Sequence, residues 1–468
     1  MKKMFVLLLA AVLLLTSAGC GIVPESNKKK SGNGKIVITV GSWPDKERKP
    51  VEYERKEASR KTFMEKYPNI TIERDSWNYD VKTFLPKAAA NQLPTLFYLP
   101  FTEVSKVADA GYVADITKYM KEYGYTEHLT DDMLEMVTRN GKIYSVPISA
   151  YAFGMSYNRD LLGKAGLLDE NGYVKFPETW DELGEMAGII KEKTGKAGFI
   201  MPTMNNVGGW HFTNIAWAFG TEFMKQDKDG KWKATFNSPE CAAALKFISD
   251  LKWKYNALSE NMFIDLEEAR TMLASSQGAM MLSSPSESNL KNFVITNGMP
   301  ADTLSVGRVP AGPGGRFALM GGSLNAIAAN ASPEEIDAAF KWMEFIGQSA
   351  NVDEESLAAV EATTKTRHEN GEPIFERTIF NIWKSGNAYE EKNKIYAKYA
   401  NTDLSYYTDY MSGKDVVIKP EEPVACQELY SVLDNCIQAV LEDKNANIEK
   451  ILNDAARDFQ SNYLNDAQ

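Results

Sequence analysis

Residues 35–44 read KIVITVGSWP, a β-branched run that ends in a Gly-Ser-Trp-Pro turn. Such a run, bounded by turn residues, predicts a buried strand that enters a loop. A helical stretch follows and ends at Tyr67-Pro68, and residues 70–73 (ITIE) predict a second strand. A strand, a helix and a strand in this order pair in parallel, so the sequence predicts an α/β fold built on parallel sheets.

More strands and helices follow in the same alternation. Residues 95–99 and 141–147 are further strand-forming runs. Helices are predicted to begin after Thr179, Ser238 and Ser332, because each hydroxyl side chain stands just before an apolar helical stripe and can accept a hydrogen bond from a free backbone N–H. This alternation is typical of α/β proteins.

The composition allows two large cores and argues against a nucleic-acid partner. More than four hundred residues follow residue 34, and the chain is 44% hydrophobic and 11% aromatic. The formal net charge of −11 becomes −13 when the two lysines of residues 1–19 are removed. A protein that binds nucleic acid needs a basic surface, so we expect no nucleic acid among the partners.

Residues 1–19 have the layout of a secretory signal peptide. Two lysines precede an unbroken apolar run over residues 4–15, and small residues lead into Cys20. The run is too short for a membrane-spanning helix, which needs about 20 residues. The stretch before Cys20 resembles a lipobox, which implies cleavage before this cysteine and a lipid on its thiol. The alternative is an ordinary secreted protein that loses Cys20 with its signal.

Residues 20–34 are predicted to be the lipid-bearing cysteine and a flexible tether. The stretch after Cys20 is poor in apolar side chains and contains a lysine run with scattered Gly, Ser and Asn. Such a segment cannot bury enough surface to offset the entropy lost on ordering. The folded part of the chain is therefore expected to begin at residue 35.

Only three cysteines follow Cys20, so no disulfide framework supports the fold. A bridge between Cys426 and Cys436 is one interpretation. Free buried thiols are favoured, because Cys436 continues an apolar helical stripe that includes Leu433 and Ile437.

The usual sequence motifs of enzymes and metal sites are missing. No Gly-Lys-Ser/Thr loop follows a strand, no Gly-x-Ser-x-Gly elbow occurs, and the three histidines lie far apart, at His128, His211 and His368. We therefore predict no catalytic residue, no metal and no cofactor. A glycoside-cleaving pair of carboxylates has no fixed sequence spacing, so a surface glycosidase or lyase stays open as an alternative.

The chain resembles the family 1 extracellular solute-binding proteins in motifs that follow one another in order. The most specific are residues 141–147 (GKIYSVP), 157–162 (YNRDLL), 165–167 (AGL) and 177–183 (PETWDEL), with weaker agreement at 67–72, 94–97, 236–240, 278–281 and 321–327. Together they cover essentially the whole chain after the tether. Thr95 departs from the pattern, because the family usually has Asp at this position.

This resemblance implies a two-lobed periplasmic-binding-protein-like fold of type II, similar to the maltose-binding proteins. Each lobe would be a parallel-rich sheet flanked by helices, with hinge crossovers between the lobes. On this template residues 35–149 and 319–350 form the N-terminal lobe, and residues 151–316 and 366–468 form the C-terminal lobe. The ligand would lie between them.

Several side chains are candidates for binding a sugar there. A pyranose has hydroxyls on its rim and apolar C–H faces, so its receptor needs aromatic rings together with planar polar groups. Open α/β sheets bind ligands at the carboxyl ends of their strands. Trp43 and Asp45 follow the first predicted strand, Trp77 follows the second, and Glu103 follows the third. Tyr151 lies at the first implied crossover.

Further predicted ligand contacts lie later in the chain. Trp210 and His211 belong to residues 205–212, whose glycines and amides predict a loop before a helix. Glu287 lies in a segment where maltose-binding relatives carry tryptophan. Trp383 stands between predicted C-terminal helices.

The resemblance implies a receptor without enzymatic activity that hands a carbohydrate to the membrane subunits of an ABC importer. We expect a monomer, held by its lipid on the extracytoplasmic face of the cell membrane, and the many aromatic residues favour an oligosaccharide. A receptor for a non-sugar solute, such as a polyamine, a peptide or a metal chelate, is the main alternative.

Overall fold

The predicted opening of the fold is confirmed. The computed structural model describes residues 34–285, 287–376 and 381–465. In it, Ile36–Val40 forms the first strand and pairs in parallel with Ile70–Arg74. The strands are, in chain order, β1 (Ile36–Val40), β2 (Ile70–Arg74), β3 (Leu96–Pro100), β4 (Thr138–Arg139), β5 (Lys142–Ile143), β6 (Ser145–Ala152), β7 (Gly154–Asn158), β8 (Ala197–Phe199), β9 (Met224–Gln226), β10 (Trp232–Ala234), β11 (Gly278–Ser283), β12 (Leu304–Gly307), β13 (Phe317–Ile327) and β14 (Val417–Pro420).

Helices connect these strands and dominate the last quarter of the chain. They are α1 (Pro50–Lys66), α2 (Val81–Ala89), α3 (Val104–Asp109), α4 (Thr117–Glu122), α5 (Tyr125–His128), α6 (Asp131–Met136), α7 (Arg159–Ala165), α8 (Trp180–Thr194), α9 (Val207–Phe219), α10 (Pro239–Trp253), α11 (Leu266–Ala274), α12 (Glu287–Lys291), α13 (Pro333–Phe345), α14 (Glu354–Glu369), α15 (Asn387–Tyr399), α16 (Thr408–Ser412), α17 (Cys426–Glu442) and α18 (Ile448–Phe459). Short 3₁₀ turns cover Phe101–Glu103, Ala301–Thr303 and Leu404–Tyr407, and π-helical turns cover Asn292–Thr296 and Gln460–Leu464.

The three predicted helix starts are confirmed. The side chains of Thr179, Ser238 and Ser332 each accept a hydrogen bond from the backbone N–H three residues later, at the beginning of α8, α10 and α13. Each hydroxyl thereby satisfies one of the backbone donors that a helix N-terminus leaves free.

The strands form two main sheets. The first has the order β14-β13-β3-β1-β2, with β6 on the other edge of β13. In it β1 is parallel to β2 and β3, and β13 is parallel to β14 but antiparallel to β3 and β6. The second has the order β12-β7-β11-β8, with β8 parallel to β11 and β7 antiparallel to both of its neighbours. We call the parts built on these sheets the N-terminal lobe and the C-terminal lobe.

Each sheet has its own hydrophobic core. The cluster on the first sheet draws its buried side chains from residues 38–150 and 320–343, together with Ile382. The main cluster on the second sheet draws them from residues 152–319 and 429–464. Both lobes are therefore assembled from segments that are far apart in the sequence.

The lobes meet where β6 leads into β7. β6 ends at Ala152 and β7 begins at Gly154, so the single residue Phe153 separates a strand of one sheet from a strand of the other. Phe153 is only 1% exposed. Its burial fixes the path of the chain between the lobes.

β13 brings the ends of two other strands together. Its residues 317–320 pair with β14, and its residues 323–327 pair with β3, so β14 and β3 approach each other beside Gly321 and Gly322. A Cβ atom at Gly321 would lie 2.6 Å from the hydroxyl of Tyr151, and one at Gly322 would lie 2.3 Å from the ring of Phe101. Neighbouring residues of a strand face opposite sides, so these two rings cover opposite faces of the sheet.

The helical region after residue 350 touches both lobes. The ring of Trp383 lies 5.7 Å from that of Tyr125 in the N-terminal lobe, between ring centroids. Phe375 packs against Tyr407 at 5.7 Å, in a third buried cluster that includes side chains of the second sheet. Residues 366–468, which the sequence assigns to the C-terminal lobe, therefore include a stretch that packs against the N-terminal lobe.

The preferred prediction of free thiols is confirmed for the described cysteines. Cys241, Cys426 and Cys436 are all buried and unbridged. The predicted signal, Cys20 and residues 21–33 of the tether lie outside the described residues. Within the ranges that the structure describes, no helix is both long enough and apolar enough to cross a membrane.

Candidate functional site

Three of the predicted contact residues lie together where the lobes meet. The Trp210 ring lies edge-on to Tyr151, with 6.5 Å between centroids, and 5.4 Å from the His211 ring. Phe153 completes the group, with its ring centroid 4.6 Å from that of Trp210. We call these four residues the aromatic cluster. It joins the crossover between β6 and β7 to the first turn of α9.

The prediction of a loop over residues 205–212 is wrong from Val207 onward. Trp210 and His211 belong to α9. Asn206 is the N-cap residue of this helix and has a left-handed φ of 69°. The two residues before Trp210 lie inside the helix. They are glycines because α17 packs too closely against them to leave room for a side chain. A Cβ atom at Gly209 would lie 2.3 Å from the backbone oxygen of Tyr430. The glycines thus serve helix packing and place both aromatic rings rigidly.

His211 is buried without satisfying its ring nitrogens. It is 1% exposed, and neither nitrogen has a hydrogen-bond partner among the described residues. Burial and, to a smaller extent, the nearby Arg270 lower the pKa of His211 to about 3. The imidazole is therefore neutral at physiological pH, with one donor and one acceptor unused. Most buried polar groups in proteins have a hydrogen-bond partner, and this imidazole is one of several exceptions among the described residues.

The carboxyl of Glu421, which the sequence did not single out, lies near the aromatic cluster. The Tyr430 hydroxyl donates a 2.7 Å hydrogen bond to Glu421 Oε1. Burial raises the pKa of Glu421 to about 7, against the effect of this hydrogen bond, and Glu103 raises it further. Burial, and then Glu421, raise the pKa of Tyr98 to about 12.

Several charged and polar groups lie near enough to the aromatic cluster to act on the pKa of Tyr151. Burial raises the pKa of Tyr151, and the charges of Glu421, Tyr98 and Arg270 also act on it. Tyr98 comes from β3, Tyr151 from β6, Glu421 from the end of β14 and Arg270 from α11. These side chains thus come from both lobes and from the crossover. Together with the aromatic cluster, we call them the interlobe site.

Glu103 lies beside this site within an ion-pair network. It is 1% exposed, and its carboxylate accepts a hydrogen bond from the Tyr79 hydroxyl. Lys106 Nζ lies 3.6 Å from Glu103 Oε2 and 2.9 Å from Glu428 Oε1, which belongs to α17. Burial raises the pKa of Glu103, and Lys106 opposes this. The network connects the N-terminal lobe to α17.

The structure places Trp43 and Asp45 away from the interlobe site. Trp43 is 4% exposed and stacks on Trp342 in the core of the N-terminal lobe, with 6.5 Å between ring centroids. Lys56 Nζ covers its ring at 4.6 Å. Asp45 is exposed, and its Oδ1 accepts hydrogen bonds from backbone N–H groups two and three residues later. The contacts of both side chains belong to their own lobe.

Trp77 and Trp383 also pack against the N-terminal lobe. The Trp77 ring stacks on Phe84 at 6.4 Å and meets Phe97 at 6.0 Å, between centroids. Trp383 packs on Tyr125, as described above. The side chain of Glu287, at the start of α12, lies outside what the structure describes.

A second ion pair joins the lobes farther out. Lys291 Nζ, from α12, lies 3.6 Å from Glu52 Oε1 of α1 and 3.5 Å from Glu372 Oε2. Glu372 is 4% exposed. An amine between two carboxylates from different parts of the chain favours an arrangement in which the lobes stay close.

The face of β13 opposite Tyr151 borders a cavity of about 580 Å³. It is lined by Phe101, Thr102, Ser105, Asp132, Glu135, Met136, Thr138, Arg139, Met320, Ile418 and residues 420–423. Phe101 and Tyr151 cover opposite faces of the sheet, so the rings of the aromatic cluster do not line this cavity, whereas Glu421 of the interlobe site does. In the part of the chain that the structure describes, no group of three or more His, Cys, Asp or Glu side chains could hold a metal ion.

Comparison with known proteins identifies relatives over most of the chain. The family model described as bacterial extracellular solute-binding protein matches residues 45–352. The maltodextrin-binding protein MdxE of Bacillus subtilis (strain 168) is 23% identical over 364 residues, which make up 75% of this chain and 78% of MdxE. The melibiose/raffinose/stachyose-binding protein MelE of the same organism is 27% identical over 205 residues, 43% of this chain and 42% of MelE.

A solved structure supports the fold over a still larger part of the chain. The maltose-bound MalE3 of T. maritima superposes with a TM-score of 0.65 at 23% sequence identity, and the match covers 91% of this chain and 99% of MalE3. The predicted two-lobed α/β fold is thereby confirmed.

The raised pKa of Glu421 predicts a specific dependence of stability on pH. The folded protein keeps this proton up to about pH 7, whereas a glutamate ordinarily ionises near 4.5. The unfolded chain therefore releases its proton first, and the free energy of unfolding falls between these two pH values, by about 3 kcal/mol for this residue alone. Glu421→Gln removes this loss, so the variant should be more stable than the wild type at pH 8 and nearly equal to it at pH 4.

Urea unfolding at the two pH values measures this difference. Glu170→Gln, at an exposed carboxylate, is the control and should behave like the wild type at both pH values. An equal effect of Glu421→Gln at pH 4 and pH 8 would show that the variant changes packing rather than ionisation.

Proposed function

The chain belongs to the bacterial extracellular solute-binding proteins, and we propose that it captures an oligosaccharide in the interlobe site and delivers it to the membrane subunits of an ABC importer. The aromatic cluster is the observation that carries this proposal. It offers the half-buried faces of Trp210 and Tyr151 next to an imidazole with unused hydrogen-bonding groups.

The site suits the two surfaces of a sugar. Aromatic rings pack against the apolar C–H face of a pyranose, and hydroxyls and carboxyls bind its rim. The phenols of Tyr98 and Tyr151 and the carboxyl of Glu421 supply such polar groups from strands of the first sheet, and Trp210 comes from the C-terminal lobe. The sugar-binding relatives MdxE, MelE and MalE3 support the same ligand class.

Capture needs only binding and movement of the lobes. A ligand that contacts both lobes at once stabilises the arrangement in which they lie close together. The ion pairs of Lys106 with Glu428 and of Lys291 with Glu52 already connect the lobes, and closure would strengthen them. The closed form is then the species that docks on the permease. We assign no catalytic step to the site.

We also propose that Cys20 carries a lipid that anchors the mature protein to the outer face of the cell membrane. The apolar run and the small residues before Cys20 support this proposal. When the full chain is produced in a bacterial host, Cys20→Ser should move the protein from the membrane fraction to the soluble fraction. Cell fractionation and labelling with a radioactive fatty acid measure this. Unchanged membrane attachment of the unlabelled variant would contradict a lipid on Cys20.

Thermal unfolding in the presence of candidate ligands tests the carbohydrate assignment. A ligand at about 100 times its dissociation constant should add about 2.7 kcal/mol to the free energy of unfolding, which raises the melting temperature visibly. We expect a shift with maltotriose, raffinose or another neutral oligosaccharide, and no cleavage product by chromatography. A shift only with spermidine, peptides or a ferric chelate would overturn the ligand class. Cleavage of the sugar would overturn the receptor interpretation.

Trp210→Ala should weaken sugar binding by about 2–4 kcal/mol, because it removes a central stacking surface, and should change the melting temperature of the ligand-free protein little. Trp253→Ala is the matched control. Trp253 is also half-buried on a helix, but it lies outside the interlobe site and donates a hydrogen bond to the Val440 oxygen. It should lower stability and leave affinity unchanged. Isothermal titration calorimetry and unfolding curves separate the two effects, and the opposite pattern would place Trp210 in the core.

A further inference from the structure

The first turn of α9 carries Trp210 of the interlobe site, and the N-terminus of this helix would ordinarily attract anions. α9 runs from Val207 to Phe219, and its first turn contains Trp210, whose ring meets Tyr151. The free backbone N–H groups and the dipole of a helix favour negative charge at this end. A phosphate or carboxylate group of a ligand would therefore have a ready partner if these donors were open.

Asp434 occupies these donors. Its Oδ2 accepts a 2.7 Å hydrogen bond from the backbone N–H of Asn206, and its Oδ1 accepts another of 2.7 Å from Gly209. The residue projects from α17 and is 6% exposed. Burial raises the pKa of Asp434 to about 6, and the backbone donors oppose this rise. At pH 8 the helix end is therefore neutralised by a carboxylate of the protein itself.

The two glycines of α9 make this contact possible. A Cβ atom at Gly208 would lie 2.6 Å from Asp434 Oδ1. At Gly209 it would lie 2.3 Å from the backbone oxygen of Tyr430, one turn before Asp434 on α17. Any larger residue would push α17 away from the helix end. The Gly-Gly pair is thus fitted to the internal carboxylate.

The opposite wall of the site adds more negative charge. Glu421 accepts its hydrogen bond from a neutral phenol, that of Tyr430, and Glu103 lies close enough to raise the pKa of Glu421. Arg270 is the cation that acts on both His211 and Tyr151, and it is already engaged. It pairs with Glu267, and its other nitrogen donates a 2.6 Å hydrogen bond to Asn289.

We infer that the interlobe site selects neutral saccharides and rejects those that carry a carboxylate or phosphate, with Asp434 acting as an internal anion and Glu421 as a second repelling group. This inference rests on the proposed function and narrows its substrate class. The hydroxyls of a neutral sugar can donate to Glu421. An anionic sugar would bring a like charge to a partly buried carboxylate and would find the helix end occupied.

Matched pairs of saccharides, in which one member carries a carboxylate or phosphate that the other lacks, test this inference. Suitable pairs are cellobiose with cellobiouronic acid, galactobiose with digalacturonic acid, and maltose with maltose 1-phosphate. Affinities are measured by calorimetry at pH 8, where both carboxyls are ionised. Each carboxylate, at roughly 12 Å from the charge of the ligand and an effective dielectric constant of about 20, should weaken binding by about 10-fold, so the anionic member should bind roughly 100-fold more weakly.

Two variants test whether the carboxyls of Asp434 and Glu421 cause the weaker binding of anionic saccharides. Asp434→Asn and Glu421→Gln keep the shape of each side chain and remove its charge, so each should lower the ratio of anionic to neutral dissociation constants by roughly 10-fold. Glu442→Gln, at an exposed position of the same helix as Asp434, should leave the ratio unchanged. Because a ratio is compared, a general loss of affinity does not mimic the effect, and Glu421→Gln provides the test if Asp434→Asn does not fold.

The outcomes separate this inference from the proposed function. Equal or tighter binding of an anionic saccharide by the wild type would overturn the selectivity and leave a carbohydrate receptor. A ratio that neither variant changes would show that Asp434 and Glu421 do not cause the discrimination. Binding of glycerophosphocholine or a peptide, with no saccharide bound, would overturn both.

Discussion

The close packing at Gly321 and Gly322 is the constraint on which the interlobe site depends. Two strands from distant parts of the chain, β3 and β14, share one edge of β13 and end beside these glycines. The space that a side chain would occupy at Gly321 is filled by Tyr151, which in turn meets Trp210. Two residues without side chains therefore set the positions of the aromatic cluster and of Glu421, and a methyl group at either of them would shift several elements at once.

The features that the sequence predicted correctly are those determined by short local patterns. The first strands and the helix starts at Thr179, Ser238 and Ser332 follow from short patterns of side chains, and the structure has them. Tyr151 could be singled out because the resemblance placed a crossover next to it. Tyr98 and Glu421 could not be singled out in this way. They are more than three hundred positions apart and come together only because β3 and β14 both pair with β13. Register over such a separation leaves no mark in a single sequence.

Local composition was also an uncertain guide to which aromatic residues line the site. A tryptophan after a strand buries a large apolar area equally well against a ligand or against its own lobe, and Trp43, Trp77 and Trp383 have partners in the N-terminal lobe. The glycines before Trp210 suggested a loop, but they lie in α9 and allow α17 to pack closely against it. A signal for that approach was present: Asp434 interrupts the apolar face of α17, and a carboxylate on a buried helix face needs a specific partner.

The position of β13 in the sequence has a consequence for folding during synthesis. This strand lies between β3 and β6 in the first sheet, yet it is synthesised some two hundred residues after them, and β14 follows later still. The first sheet therefore cannot join β3 to β6 until residue 327 has been synthesised, and long-range strand pairing is slow in any case. The N-terminal lobe can therefore reach its final form only after about two thirds of the chain has been made, and until then this part can be threaded through a narrow export channel.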